Sequence, residues 1–175
     1  MKREEVVKLY ILLKENNIPI WIDGGWGVDA LLEKETRPHK DLDIAIEEKD
    51  LNKFRRLLDT KGYKDLPQDD SVPHNFILRD HQGREIDVHV IVFDENGNGI
   101  YGPAENGQMY PASSLMGMGK IDGVEVKCIS AEDMVKFHSG YELKDKDYKD
   151  VSALCDKFGI PLPAEYQQFI KKEYK

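Results

Sequence analysis

Apolar residues near the start of the chain recur at intervals of three and four positions, with charged residues between them. This spacing is typical of an amphipathic helix that packs through one face. The sequence therefore predicts a helix over residues 4–16. Its buried stripe comprises Val6, Leu9, Tyr10 and Leu13.

A strand that ends in a pair of glycines is predicted to follow this helix. The strand begins at Pro19 and runs into a tight turn at Gly24 and Gly25. Glycine has no Cβ atom, so backbone amides in such a turn can approach an anion closely. A second helix, predicted to begin near Val28, would direct its N-terminus towards the same anion. The pattern predicts a phosphate-binding turn.

Acidic and apolar residues alternate in the next predicted strand. Asp41 and Asp43 lie on one face, roughly 6 to 7 Å apart along the strand. The opposite face consists of Leu42, Ile44 and Ile46. Two carboxylates this close favour a cation between them. Taken alone, however, an Asp-X-Asp pair is also common at the solvated edge of a sheet.

A helix, a loop and a hairpin are predicted to come next. The helix covers residues 50–62, with Asp50 as its cap, and the loop covers residues 64–74. Residues 75–79 and 85–93 are rich in strand formers and are separated by a turn, so they are predicted to pair as a hairpin. Together with the preceding elements, this order indicates an α/β fold.

The second strand of the hairpin carries a further acidic face. Glu85, Asp87 and His89 alternate with apolar residues, so they lie on one side of the strand. If Asp87 joins the earlier acid pair, three carboxylates converge and repel one another unless a divalent cation neutralises them. Carboxylate oxygens without cysteine favour Mg²⁺, which also takes oxygens from substrate phosphates.

The second half of the chain has weaker patterns. Residues 94–120 are rich in glycine and proline and are predicted to form a long loop, which in a compact domain is often functional. A short strand is predicted over residues 124–129. Three helices follow, over residues 130–140, 145–158 and 163–170.

Composition limits the classes of partner. The chain has 175 residues, with 33 acidic and 25 basic side chains and a net charge of −8. This balance argues against a broad surface for nucleic acid or for an anionic membrane. The sequence contains neither an apolar segment long enough to span a bilayer nor a secretory signal, so a cytoplasmic protein is predicted. Its two cysteines, Cys128 and Cys155, lack metal-ligand spacing.

Several of these segments together resemble a known enzyme family. They are residues 21–30 (WIDGGWGVDA), 37–43 (RPHKDLD), 85–89 (EIDVH), 128–130 (CIS) and 137–141 (FHSGY). They resemble the small antibiotic nucleotidyltransferases of the DNA polymerase β superfamily. The lincosamide nucleotidyltransferases and the aminoglycoside adenylyltransferases are the nearest groups. The resemblance covers most of the chain.

The resemblance implies a fold and a reaction. The fold would be an α/β (α+β) nucleotidyltransferase core with a mixed sheet flanked by helices, over residues 1–102. A smaller, mainly helical region on the acceptor side would follow, over residues 103–175. The reaction would transfer a nucleoside monophosphate, AMP from ATP, to a hydroxyl of a lincosamide or aminoglycoside and release pyrophosphate. The co-substrate would be a nucleoside triphosphate, with Mg²⁺ as cofactor.

The resemblance also implies a role for each motif. The glycine turn would hold the triphosphate and the acids would bind Mg²⁺, with the third acid acting as metal ligand, as general base towards the acceptor hydroxyl, or as both. The residues concerned are Gly24 and Gly25 for the triphosphate, Asp41, Asp43 and Asp87 for metal and catalysis, and Arg37 or Lys40 for positive charge near the phosphates.

Four other residues are candidates with plainer alternatives. His89 could contact the acceptor or the metal, but a histidine beside a carboxylate is as often a structural partner. His138 and Tyr141 could line the acceptor cleft, although a helix buries an aromatic residue more often than it exposes one. Lys149 could reach the triphosphate, although it belongs to a mixed-charge run that is typical of a solvated helix start.

A second class of function is consistent with the same fold. An antitoxin-like protein of nucleotidyltransferase fold would bind or modify a protein partner. The presence of all three acids favours catalysis, because a binding module does not need them. The chain lacks a long helical appendage, so a homodimer is predicted to complete the acceptor pocket.

Overall fold

A mixed β-sheet flanked by helices forms the fold. The computed structural model describes residues 1–68, 72–102 and 108–173. The helices are α1 (Arg3–Glu15), α2 (Gly24–Leu32), α3 (Glu48–Thr60), α4 (Ala131–Phe137), α5 (Asp145–Phe158) and α6 (Gln167–Glu173). The strands are β1 (Ile20–Ile22), β2 (Asp41–Glu47), β3 (Lys64–Leu66), β4 (Asn75–Arg79), β5 (Glu85–Phe93), β6 (Gly99–Tyr101), β7 (Gln108–Tyr110), β8 (Gly117–Ile121) and β9 (Val124–Cys128). Single 3₁₀ turns cover Ala112–Met116 and Ala164–Tyr166.

The strand order places β2 at the centre of the sheet. The order is β3-β4-β5-β2-β1-β9-β8, and the β6–β7 hairpin pairs with the end of β5. Strand β2 is parallel to β5 and antiparallel to β1, whereas β1 is parallel to β9. The predicted α/β class with a mixed sheet is confirmed. Because β2 and β5 are neighbours, the two acidic strands of the sequence lie side by side.

Helix α2 begins four residues earlier than the sequence predicted. The prediction placed its start near Val28, but the helix runs from Gly24, and the two glycines form its first turn. The reason is Asp23, whose carboxylate accepts a hydrogen bond from the Gly24 amide and caps the helix directly at the end of β1. Burial of Trp26 then fixes the first turn against the core.

The two predicted loops contain strands. Within residues 64–74, Lys64–Leu66 forms β3, which pairs with β4, and within residues 94–120 the chain forms β6, β7 and β8. Strand β8 was missed because glycines occupy its buried face: a Cβ on Gly119 would lie 2.4 Å from the Ala30 carbonyl oxygen of α2. A strand that packs this closely on a helix shows no apolar alternation. Residues 69–71 and 103–107 of these loops lie outside the described residues.

Other elements agree closely with the patterns. Helices α1 and α5, the β4–β5 hairpin and strand β9 lie within two residues of their predicted bounds. The hydroxyl of Ser130 accepts a hydrogen bond from the Asp133 amide and caps α4. The predicted cap of α3 at Asp50 is wrong, because the helix begins at Glu48 and Asp50 lies in its first turn. The buried core takes its largest side chains from α1, α2, α3 and the central strands, among them Trp26, Phe54 and Ile44.

The region after residue 107 contributes strands to the sheet and helices that flank it. Strands β8 and β9 extend the sheet beyond β1, while α4, α5 and α6 pack as helices. The division between residues 1–102 and 103–175 stays a prediction. Within the described ranges, none of the helices has both the length and the apolar character that crossing a bilayer requires.

Candidate active site

The three predicted acids lie together on one face of the sheet. In the parallel pair of β2 and β5, Asp43 is directly opposite Asp87. Asp41 lies two residues before Asp43 and therefore projects from the same face. The alternating residues Leu42 and Ile44 are buried on the other face. The sheet thus gathers the three carboxylates while the opposite side of β2 contributes to the core.

Asp43 is the most perturbed member of this cluster. The pKa of Asp43 is raised from 3.8 to about 7, and burial is the largest cause. The charges of three neighbouring carboxylates add to the effect, and these belong to Asp41, Asp23 and Asp87. Each of these interactions disfavours the ionised form. The cluster therefore favours either a proton on Asp43 or a cation between the acids.

The two glycines of the turn are required for different reasons. Gly24 has a φ of +55°, and a Cβ there would lie 2.2 Å from Oδ2 of Asp43. The backbone of the turn therefore lies directly against the acidic cluster. A Cβ on Gly25 would lie 2.3 Å from Nδ1 of His39 and 2.9 Å from Nη2 of Arg37. Gly25 thus lets the segment before β2 pack onto the N-terminus of α2.

Arg37 lies beside this turn and is held by α5. Its Nη2 donates to Oδ2 of Asp150 at 2.6 Å, and its Nε donates to the same carboxylate at 3.2 Å. Its Nη1 lies 3.1 Å from Nδ1 of His39, which must accept because arginine only donates. The His39 Nε2–H then donates to Asp29 of α2 at 2.5 Å. This network joins α2, the segment before β2, and α5.

Removing the Arg37 side chain is expected to destabilise the fold. The Asp150 carboxylate is 2% exposed, so Arg37→Ala leaves a buried charge unpaired. We expect the free energy of unfolding to fall by about 3 kcal/mol, as urea denaturation would measure. The control is Lys64→Ala, which breaks an exposed pair with Asp59 and should cost less than about 0.5 kcal/mol. Equal effects of the two variants would contradict a structural role for the Arg37 pair.

The two predicted lysines have solvent-exposed side chains. Lys40 is 82% exposed at its side chain, and its Nζ lies 3.7 Å from Oε2 of Glu85. Lys149 is exposed on α5. Both side chains are long enough to reorient, which is typical of lysines that bind phosphate as point charges.

A pocket of about 510 Å³ opens from the acidic cluster. Asp43 and Gly24 line it, and so do the three residues predicted to bind the acceptor, which are His89, His138 and Tyr141. The sequence did not indicate several further lining residues. They are Asp23, Tyr101, Met109, Tyr110, Lys136 and Phe137. The pocket therefore combines an acidic region with aromatic walls.

His89 connects Asp87 to a second carboxylate. Its Nε2 lies 3.6 Å from Oδ1 of Asp87, and its Nδ1 lies 3.0 Å from the hydroxyl of Tyr110. The Tyr110 hydroxyl donates to Oδ2 of Asp23 at 3.0 Å. Burial, followed by the Asp23 charge, raises the pKa of Tyr110 well above its ordinary value. Asp23 was missed as a site residue, although an aspartate between a strand and a glycine pair is a recognisable helix cap.

His138 and Tyr141 follow helix α4 at the rim of the pocket. The Nδ1 of His138 bonds to the Met134 carbonyl at 2.8 Å, and the Tyr166 hydroxyl donates to the His138 carbonyl. Tyr141 is half-exposed, and burial with the nearby charge of Asp147 raises its pKa to about 12. The ring of Tyr141 therefore remains a neutral surface for a ligand at physiological pH.

The acids alone do not form a ready-made metal site. In the part of the chain that the structure describes, no three His, Cys, Asp or Glu side chains are arranged to enclose an ion. Mg²⁺ is usually bound in enzymes by one or two carboxylates together with substrate phosphates and water. An acidic pair beside a glycine turn matches that requirement, because the nucleotide supplies the remaining oxygens.

This combination of fold and site defines a class of protein. A mixed sheet that presents acids on adjacent strands, beside a glycine turn at a helix N-terminus, is the polymerase β-like nucleotidyltransferase architecture. Residues 5–154 match the aminoglycoside-2''-adenylyltransferase family, and the chain belongs to that family.

Two relatives show the range of the similarity in sequence. The chain is 28% identical over 151 residues to a lincosamide resistance protein of Staphylococcus haemolyticus, covering 86% of this chain and 92% of the relative. A shorter stretch of 39 residues is 44% identical to a 2''-aminoglycoside nucleotidyltransferase of Escherichia coli and covers 22% of each chain.

Two solved structures share the fold. The lincomycin-bound lincosamide antibiotic adenylyltransferase LnuA superimposes with a TM-score of 0.77 and 26% identity, covering 92% of this chain and 99% of LnuA. ANT(2'')-Ia in complex with adenylyl-2''-tobramycin superimposes with a TM-score of 0.70 and 20% identity, covering 99% and 98% of the two chains. The likeness therefore extends over the whole fold.

Proposed function

We propose that this protein transfers AMP from ATP to a hydroxyl of a lincosamide or aminoglycoside antibiotic and releases pyrophosphate. The observation that carries this proposal is the register of β2 and β5, which sets Asp43 opposite Asp87 beside the Gly24 turn. Two related structures support the acceptor class, because one is bound to lincomycin and the other to adenylyl-2''-tobramycin.

The triphosphate is proposed to bind at the N-terminus of α2. Amides in the first turn of a helix of this length attract an anion, and the turn at Gly24 and Gly25 has no side chain to obstruct it. Arg37 lies next to Gly25 and would add fixed positive charge. The exposed Lys40 and Lys149 would supply further charge from the surface.

The carboxylates are proposed to hold Mg²⁺ with the nucleotide. Asp41 and Asp43 would be its main ligands, and Asp87 would be the third. The pKa of Asp43 is raised first by burial and then by the charges of the neighbouring carboxylates, and a divalent cation would offset both effects. When bound, Mg²⁺ would stabilise negative charge on the phosphates.

The reaction itself is a displacement at the α-phosphorus. The acceptor hydroxyl oxygen forms a bond to that phosphorus as the bond to the bridging oxygen breaks, and pyrophosphate leaves with the electron pair. The hydroxyl proton passes to the carboxylate of Asp87, which acts as general base. His89, His138 and Tyr141 would orient the acceptor in the pocket.

The setting follows from the co-substrate. An ATP-dependent reaction would take place in the cytoplasm. A homodimer is proposed as the assembly, with the second chain adding to the acceptor side of the pocket.

An assay with labelled nucleotide tests the function. The protein is incubated with ATP labelled at the α-phosphate, Mg²⁺ and either lincomycin or tobramycin. We expect pyrophosphate release that depends on the antibiotic and on Mg²⁺, with the label recovered on the antibiotic by mass spectrometry. Addition of EDTA should abolish it. Label transferred to a protein and to neither antibiotic would instead favour the antitoxin-like function.

A further inference from the structure

Tyr110 makes two hydrogen bonds at the floor of the pocket. It lies in β7 and is 7% exposed. Its hydroxyl oxygen lies 3.0 Å from Oδ2 of Asp23 and 3.0 Å from Nδ1 of His89. Its ring packs nearly perpendicular to those of Tyr101 and Phe137, with ring centroids 6.3 and 5.2 Å away. The hydroxyl is therefore held in place between the two polar groups.

The direction of these two hydrogen bonds is determined by their chemistry. An ionised carboxylate can only accept, and a phenol has one proton to donate. Burial and the charge of Asp23 raise the pKa of Tyr110, so the hydroxyl keeps its proton. Tyr110 therefore donates to Asp23 and must accept from His89. The proton of a neutral His89 consequently lies on Nδ1.

The hydrogen bond from His89 to Tyr110 also determines whether the second ring nitrogen, Nε2, carries a proton. A neutral imidazole carries one proton, so a proton on Nδ1 leaves a lone pair on Nε2. That nitrogen lies 3.6 Å from Oδ1 of Asp87. In the opposite tautomer, Nε2–H would point its positive end at this oxygen from beyond hydrogen-bond distance, and its dipole would favour the ionised form of Asp87, which makes a weaker base.

We propose that Tyr110 is a positioning residue that holds His89 as its Nδ1–H tautomer. In this tautomer, Nε2 presents a lone pair and not an N–H group to Asp87. Asp23 is the anchor of this arrangement, because its second oxygen is fixed by the Gly24 amide at 2.8 Å. The Tyr110 hydroxyl thereby links β5, the strand that carries the proposed general base Asp87, to the glycine turn. The inference rests on the proposed function, in which Asp87 accepts the hydroxyl proton.

Tyr110→Phe tests the role in turnover. The variant keeps the ring and its packing but removes the hydroxyl, so we expect kcat to fall at least about 10-fold, with KM for ATP and for the acceptor within about two-fold. The control is Tyr10→Phe, which removes another buried hydroxyl, one that accepts from the Lys127 amide at 2.8 Å outside the pocket. Both variants should show similar, small decreases in Tm, but Tyr10→Phe should retain its kcat.

A second measurement is independent of activity. The ¹⁵N spectrum of the His89 ring, recorded at alkaline pH where imidazole is neutral, should show the proton on Nδ1 in the wild-type protein. In Tyr110→Phe, it should move to Nε2. A wild-type ring protonated on Nε2, or an unchanged tautomer in the variant, would overturn the proposal.

The two measurements separate the two hypotheses. If the wild-type protein modifies no antibiotic but His89 carries its proton on Nδ1 in a Tyr110-dependent manner, the proposed reaction fails and the tautomer assignment stands. If the wild-type protein is active and Tyr110→Phe has an unchanged kcat, the positioning role of Tyr110 is wrong.

Discussion

Replacing Asp87 with asparagine should lower kcat about 10³-fold, because the loss of a general base typically costs a factor of 10² to 10⁴. Asparagine keeps the shape of the side chain but cannot take the proton of the acceptor hydroxyl. The fold should tolerate the change, since the charge of Asp87 is one of those that raise the pKa of Asp43. Steady-state kinetics with labelled ATP and a saturating antibiotic would measure the effect.

The Mg²⁺ dependence of the same variant separates the two roles of Asp87. If Asp87 is only a base, the Mg²⁺ concentration for half-maximal activity should not change; if it also binds metal, that concentration should rise. Glu47→Gln is the matched control, because Glu47 lies on β2 on the same face as Asp43 but at the far end of the strand, where it pairs with Lys49. Full transfer activity in Asp87→Asn, with unchanged metal dependence, would exclude both roles.

The faces of the acidic strands could be predicted from the sequence, but their pairing could not. Alternation with a period of two places Asp41 and Asp43 on one face and Asp87 on the corresponding face of a later strand. It does not determine that β2 and β5 are neighbours, or that their register sets Asp43 opposite Asp87. That register depends on the packing of the whole sheet, including α3 and the β3–β4 pair that lie between them in the chain.

The residues that the sequence missed act through contacts distant in the chain. Tyr110 lies in a short, glycine-rich segment without periodicity, and its partner Asp23 is 87 residues away. Similarly, a Cβ on Gly119 would collide with the backbone of Ala30, so the position requires glycine and its strand was predicted as loop. Asp23 could have been recognised from the sequence as a helix cap. It was missed because α2 was predicted to begin near Val28 and not directly after Asp23.

Arg37 belongs to a sequence motif, but its ion pair with Asp150 could be seen only in the fold. The family resemblance implied that Arg37 or Lys40 supplies positive charge near the phosphates, and Arg37 lies beside Gly25 in the structure. The same guanidinium also pairs with Asp150, which lies 113 residues later on α5. Periodicity identified α5 as a helix but carried no information on which buried acid would meet Arg37.

Asp43→Asn is expected to abolish transfer and yet to stabilise the metal-free protein at high pH. The folded-state pKa of Asp43 is about 7, compared with 3.8 for an unperturbed aspartate. Between these values, the folded protein holds a proton that the unfolded chain has released. The free energy of unfolding of the wild-type protein therefore falls as pH rises from about 4 to about 7. A gap of about three pKa units sets a ceiling of about 4 kcal/mol on this loss.

Urea denaturation in EDTA, at a series of pH values from about 4.5 to 8, would measure this difference. Above pH 7, Asp43→Asn should be more stable than the wild-type protein by on the order of 2 kcal/mol, and this advantage should vanish near pH 4. Mg²⁺ with ATP should stabilise the wild-type protein and not the variant, because the variant lacks one of the two main carboxylate ligands of the metal. Asp65→Asn, whose carboxylate is exposed and pairs with Arg55, should keep the wild-type pH dependence. If Asp43→Asn unfolds with the wild-type pH dependence, the pKa of Asp43 is not raised in the folded protein. The proposed metal site would then lose its main physical support.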